Sequence, residues 1–247
     1  MKTIVIAAGY ATRLGELTKD FPKPLLKIGA KSILDRMLAD IDQIPDIDEH
    51  IIITNHKFAH HFETWKQHSC YTKPITILDD GTETNETRLG AVCDLLMAID
   101  YLDKRDEHDS SLLVVAADNI LLFSFQEFVD FAKAKQTSCI MCHRQSDLAK
   151  LRRTGVVVLD DDDRVVNMEE KPAEPKSQWA VPPFYIYMEH DLGLIRHSVE
   201  NGCGKDAPGN LAHYMVEHTT IHAWHMTAGR FDIGSLDTYY QAQDLFK

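Results

Sequence analysis

Short apolar runs alternate with stretches of helical spacing through residues 2–135, and this alternation constrains the fold more than any other feature. Lys2 to Ala8 reads as a buried strand, after which Ile33, Leu34, Met37, Leu38, Ile41 and Ile44 recur at the spacing of one helical face. His50 to Thr54, Pro74 to Leu78 and Leu112 to Ala116 are further strand candidates, each followed by a helical segment. Residues 89–102 form the clearest helix, with Val92, Leu95, Leu96, Ile99 and Leu102 on one stripe. Strands and helices in this order predict right-handed βαβ crossovers and a mostly parallel sheet covered by helices on both faces.

After Gln136 the rhythm changes. Ser138 to His143, Gly155 to Leu159, Arg164 to Met168 and Phe184 to Met188 are strand-like with little helix between them, which predicts antiparallel additions in the second half. The run Asp160 to Asp163 lies between two of these strands and reads as a solvated hairpin turn in preference to a metal-binding D-x-D. A helix from Pro208-Gly209 to about Glu217, a strand over 220–226 and a last helix from Leu236 complete the expected set. With no internal repeat, linker or composition shift, residues 1–247 are expected to form a single domain of Rossmann-like α/β class.

The balance of 26 Lys+Arg against 38 Asp+Glu leaves a formal charge of −12, which opposes general binding to nucleic acid or anionic membranes. Any polyanionic ligand then needs a local basic site. No run of about 18 apolar residues is present, and the start leads into structure without a cleavable signal pattern, so a cytoplasmic protein without membrane association is expected. The five cysteines (Cys70, Cys93, Cys139, Cys142, Cys203) are scattered, as suits reduced thiols. Cys139 to His143 matches C-x-x-C-H, but it lies in a strand-like run without an export signal, so haem attachment is rejected. His56, His60 and His61 fall on a polar helix and read as a solvated face, while His213, His218, His222 and His225 are scattered over a helix and a strand. The oligomeric state is not legible in the sequence.

The basic site is the loop that leaves the first strand, where open α/β sheets bind ligands. Between Gly9 and Lys27 stand four cations (Arg13, Lys19, Lys23, Lys27) and two acids (Glu16, Asp20), a local +2 within a chain of −12. Gly9 allows backbone N–H groups to approach a phosphate, Arg13 offers a planar fork, and the Pro22-Lys23-Pro24 frame restricts Lys23. A surface loop with ordinary lysines is the alternative. Neither G-x-G-x-x-G nor G-x-x-x-x-G-K-[S/T] is present, which excludes the usual dinucleotide and P-loop readings.

This stretch resembles the signature of the sugar-1-phosphate nucleotidyltransferases: Ala8-Gly9, Arg13-Leu14, Leu17-Thr18 and Pro22-Lys23-Pro24-Leu25 match its Gly-rich turn, Arg-Leu, Leu-Thr and Pro-Lys-Pro-Leu. Three later places agree in order. Leu113 to Asn119 looks like the strand ending in the family's Gly-Asp-Asn, whose Asp holds Mg²⁺. Glu170-Lys171-Pro172 looks like its Glu-Lys-Pro, in which the Lys meets the sugar phosphate, and Gly229 to Ser235 looks like its Trp-x-Asp-x-Gly-Thr, which carries the second metal Asp. Ala11, Ala117, Phe231 and Ser235 are small departures that keep the charged groups, whereas Pro182-Pro183 implies a reshaped sugar pocket. A following hexapeptide-repeat domain, found in some relatives, is not expected.

The resemblance implies a Rossmann-like fold and transfer of a nucleotidyl group from an NTP to a sugar 1-phosphate, giving NDP-sugar and pyrophosphate with Mg²⁺. It assigns Asp118 and Asp232 to the metal and Arg13 and Lys23 to the departing pyrophosphate. Ala8, Gly9, Asn85, Arg88 and Gly90 fall to the nucleotide, with Arg13, Lys23 and Asp118; Asn119, Glu170, Lys171 and Tyr185 fall to the acceptor. The 79–90 loop lies where the base and ribose are read, and the Gly90-Ala91 helix start permits close approach to a flat base; a helix cap beside a solvent loop is the alternative. Three rival functions are a cytidylyltransferase acting on phosphocholine or an alditol phosphate, a catalytically silent binding relative, and a glycosyltransferase. The last would leave the first-loop cations unexplained.

Overall fold

The computed structural model describes residues 1–107 and 109–246 and divides into two compact units, each assembled from separate stretches of chain. The fold is α/β, with parallel strands and helices in one unit and antiparallel additions in the other.

The first unit comprises Lys2–Arg88, Ala116–Gln126 and the chain from Thr227 onward. Strands Lys2–Ile6, Glu49–Thr54 and Ile75–Asp79 pair in parallel, with Ile4 opposite Ile51 and Ile51 opposite Thr76. Glu49–Thr54 is buried throughout, as a strand covered on both faces must be. Helix Ile33–Ile41 buries Ile33, Leu34, Met37, Leu38 and Ile41, and a reciprocal Ser32–Asp35 capping box starts it. Helix His56–His68 buries only Phe58 and Phe62. Its cap, Asn55, accepts from the Phe58 N–H at 3.0 Å and donates from Nδ2 to the Ala8 carbonyl at 2.9 Å. The same side chain therefore caps a helix and anchors the start of the first loop.

This unit also contains a ribbon of two three-residue strands, Asn119–Leu121 and Arg230–Asp232, that the sequence pattern did not predict. Ile120 and Ile233 beside it join Leu26, Ile28, Ile33 and Ala242 in one core cluster. The buried Asp42 carboxylate fastens a neighbouring turn. Burial would raise its pKa, but N–H donors of Thr72 and Lys73, the Thr72 hydroxyl and the His50 ring hold it at about 2.

In the second unit the strand order runs Val165–Glu170, Gly155–Leu159, Trp179–Val181, Ser138–Arg144, Phe184–Tyr187 and Leu112–Ala116, antiparallel at each step. Ile221–His225 lies parallel to Ser138–Arg144. Cys139 and Cys142 are buried in that strand, and burial pushes both thiols up to about 12. All five cysteines are free. The Asp160–Asp163 segment is the expected turn: Asp160 Oδ1 accepts the N–H groups of Asp162 and Arg164, each at 3.0 Å. It is tied down as well as solvated, since Lys135 Nζ lies 3.0 Å from Asp162 and His225 Nε2 lies 2.7 Å from Asp163. Among the described residues no helix is long and apolar enough to cross a membrane.

Candidate active site

The first loop is folded by local devices. Ala11 takes a left-handed φ of 48°, and its carbonyl accepts the Thr18 hydroxyl at 2.9 Å, closing the turn that carries Arg13. Arg13 lies exposed in the single 3-10 turn Thr12–Leu14. Further along, helix His56–His68 holds the loop: His61 Nε2 meets the Asp20 carbonyl at 3.0 Å, and its ring meets Phe21 edge-on at 4.9 Å. His61 is thus a packing contact for the loop and departs from the solvated role expected of it. Pro22 and Pro24 frame a second 3-10 turn, Lys23–Leu25, in which Lys23 is buried.

Lys23 Nζ lies 3.1 Å from Asp118 Oδ2, with only 10% of the lysine side chain exposed. Asp118 leaves the end of the Leu112–Ala116 strand and begins the short ribbon. Its carbonyl accepts the Ile233 N–H at 2.9 Å, and Asp232 stands directly opposite Asn119 in the ribbon's register. That pairing brings two aspartates 114 positions apart in sequence to one place. Asn119 Nδ2 donates to Asp118 Oδ1 at 2.6 Å, and Arg230 Nη1 donates to Asn119 Oδ1.

Asp232 keeps solvent-accessible surface, yet its carboxyl is crowded enough for desolvation to raise its pKa. The Asp118 charge raises it further, while Arg230, Lys23 and Arg13 pull it down. Two acids that feel each other beside three cations form a charged centre of hard oxygen donors, chemically suited to Mg²⁺. Among the described residues no group of three or more His, Cys, Asp or Glu is placed to hold a metal, so these two carboxylates would need oxygen ligands from substrate or water to complete a coordination shell.

The Glu-Lys-Pro stretch belongs to the second unit and is built differently. Lys171 adopts a left-handed φ of 49°, keeps 55% of its side chain exposed, and has Nζ 3.5 Å from Glu170 Oε1. Burial raises the Glu170 pKa against the pull of Lys171. A Cβ on Gly209 would sit 1.9 Å from Glu170 Oε2, so this glycine leaves the room in which the carboxyl lies. Tyr185 is 3% exposed within strand Phe184–Tyr187, and burial, then the Glu170 charge, pushes its phenol above the usual range.

In the 79–90 loop, Arg88 Nη1 donates to the Asn85 carbonyl at 2.9 Å, so these two candidates contact each other. Gly90 has a φ of 92°, and a Cβ there would lie 2.4 Å from the Lys205 carbonyl oxygen. The Val92 N–H donates to that oxygen at 3.1 Å. The close approach that this glycine permits is therefore made by the chain's own backbone, which caps helix Ala91–Asp103. Sequence reasoning missed Arg230 altogether. The available signal was a cation two residues before one aspartate of a pair.

An α/β fold with paired aspartates and a cationic first loop defines a class suited to phosphorylated substrates. The family model for nucleotidyl transferases matches residues 2–247, and the chain belongs to that family. It is 23% identical to a glucose-1-phosphate adenylyltransferase of Fervidobacterium nodosum, a match that covers 96% of this chain and 59% of that protein. Among solved structures, a UDP-glucose pyrophosphorylase complexed with UDP-glucose shares the fold at a TM-score of 0.84 and 17% identity, over 99% of this chain and 97% of that one. A protein from Bacillus anthracis assigned as a glucose-1-phosphate thymidylyltransferase does so at 0.81 and 21%, over 99% and 94%.

Proposed function

We propose that the chain acts as one nucleotidyltransferase domain over residues 1–247, transferring a nucleotidyl group from an NTP to a sugar 1-phosphate with release of pyrophosphate. The observation that carries this reading is the Lys23–Asp118 ion pair beside Asp232, which couples the cationic loop to the paired carboxylates. The acceptor needs no general base, because a phosphate monoester with a second pKa near ~6 is already largely dianionic at neutral pH. What the reaction does need is relief of repulsion between anions, placement of the attacking oxygen in line, and stabilisation of the leaving pyrophosphate.

Asp118 and Asp232 would hold Mg²⁺, which when bound supplies charge screening at the phosphates. Arg13 is exposed at the loop surface, and its guanidinium fork suits the charge that grows on pyrophosphate. Lys23, paired with Asp118, would supply a second cation to the phosphates. Lys171 pairs with the acceptor phosphate and Glu170 serves the acceptor with it, whereas Asn119, buried with its amide between Arg230 and Asp118, acts through the Asp118 carboxylate. Ala8, Gly9, Asn85 and Arg88 face the nucleotide, and Gly90 acts on it through the loop it accommodates. In this reading the protein works in the cytoplasm on NTPs available there.

The test is pyrophosphate release across a matrix of NTPs and phosphorylated acceptors. Turnover with one NTP and one sugar 1-phosphate is expected. Turnover only with CTP and phosphocholine or an alditol phosphate would overturn the choice of acceptor, and silence throughout would overturn the enzyme reading.

A further inference from the structure

We propose that Arg230 is a positioning residue that sets the orientation of the Asp118 carboxylate through the Asn119 side-chain amide, an inference that rests on the reading of Asp118 and Asp232 as metal ligands. Arg230 Nη1 donates to Asn119 Oδ1, and Asn119 Nδ2 donates to Asp118 Oδ1 at 2.6 Å. Asn119 is 1% exposed, so its amide exchanges these partners for water with difficulty. Lys23 holds the other oxygen of Asp118 at 3.1 Å.

The direction of this chain follows from donor and acceptor chemistry. A guanidinium only donates, and an ionised carboxylate only accepts, whereas an amide has one end of each kind. Arg230 therefore forces the amide oxygen toward itself and the amide nitrogen toward Asp118. Without that donor the amide oxygen loses its buried partner, and the amide is free to turn away and release its hold on the Asp118 oxygen. Among the described residues the Asn119 oxygen is the acceptor that the Arg230 guanidinium meets, and its buried Nε has no partner. The ribbon needs none of this to form, because its register rests on backbone pairing of Arg230 with Leu121, Phe231 with Ile120 and Asp232 with Asn119.

A guanidinium acting by charge alone would repel a cation at the paired aspartates, so its loss would tighten metal binding. Positioning predicts the opposite sign. The probe is Mn²⁺ with inorganic pyrophosphate, the product common to every NTP, titrated by electron paramagnetic resonance into the full chain and its variants. Arg230→Met and Asn119→Ala should each weaken Mn²⁺ binding about tenfold, the usual cost of losing a hydrogen bond that orients a metal ligand. Arg230→Lys, which keeps a donor, should stay near wild type, and Arg230→Met should add nothing in the Asn119→Ala background.

Unchanged or tighter Mn²⁺ binding by Arg230→Met would overturn the proposal, as would a loss undiminished by Asn119→Ala. If Asn119→Ala does not fold, the comparison of Arg230→Met with Arg230→Lys still decides, since equal affinities would overturn it. Wild type that binds no Mn²⁺ would instead overturn the metal-ligand reading of the aspartates, and the positioning role with it.

Discussion

The two regions that carry the proposed chemistry are organised to different degrees. Around Asp118, the charged groups already have partners: Lys23 and Asn119 hold its two oxygens, and Asp232 is placed across a strand pair. Around Lys171, the lysine is more than half exposed on a left-handed residue and meets one carboxylate at 3.5 Å. The proposed metal centre is preorganised within the protein, while the lysine proposed for the acceptor is an exposed cation that substrate would have to order. A preorganised centre contributes mainly to the transition state, and an open one contributes to both binding and turnover.

The strongest test of this contrast is the aspartate pair. Asp118→Asn and Asp232→Asn should each reduce turnover by about 10³-fold or more, and the double variant little further, since the two act as a unit. The activity of the wild type should vanish with EDTA and return with Mg²⁺ or Mn²⁺. Strictly additive losses in pyrophosphate release would break the idea of one centre. Stability should move the other way for Asp232. Its raised pKa makes the folded state favour the proton, so the favourable contribution is present below the ordinary value of 3.8 and lost as pH rises through the folded pKa. Asp232→Asn should therefore raise the Tm of the metal-free protein at neutral pH, with the gain shrinking in acid.

At the open end, Lys171→Ala should lower kcat/KM for the acceptor about 10²-fold and raise its KM, with NTP binding changed far less. Equal weakening of both substrates would erase the distinction between the two regions. Arg13→Ala should depress kcat about 10- to 100-fold in synthesis and in pyrophosphorolysis alike, and Arg13→Lys should recover it only in part. Unchanged turnover would return the first loop to an ordinary surface role.

Gly209→Ala sharpens the comparison within the second unit. The new Cβ meets the end of the Glu170 side chain, which can swing away, so stability should fall little while acceptor KM rises about 3- to 10-fold. A variant with unaltered acceptor kinetics would remove Glu170 from the acceptor site. The smallest effect on chemistry belongs to Asp42→Asn, which touches only the framework. Its folded pKa of about 2 lies below the ordinary 3.8, so its contribution is present above the ordinary value and lost as pH falls toward 2. Denaturant unfolding at pH 7 should show a loss of about 2 kcal/mol that disappears near pH 2, with kcat unchanged.

Much of the fold was legible because its signals are local. Helix Ile33–Ile41 announces itself by apolar spacing, and the strand Glu49–Thr54 by its central Ile51-Ile52-Ile53. Gly155–Leu159 and Leu112–Ala116 were found at their observed limits for the same reason. Pro22 and Pro24 likewise restrict Lys23 through their own rings, whatever surrounds them. These features depend on residues within a turn or two of each other, so the sequence by itself determined them.

The tertiary structure alone decided which distant groups meet. Three-residue strands such as Asn119–Leu121 and Arg230–Asp232 are too short to display periodicity, and their register depends on where two remote segments cross. Hence the pairing of Asp232 with Asn119, the Lys23 contact to Asp118 and the part played by Arg230 had no local signature. Gly90 teaches the same lesson. Its composition promised close approach, but only the fold revealed that the approaching group is the Lys205 carbonyl, because a glycine specifies room and never its occupant.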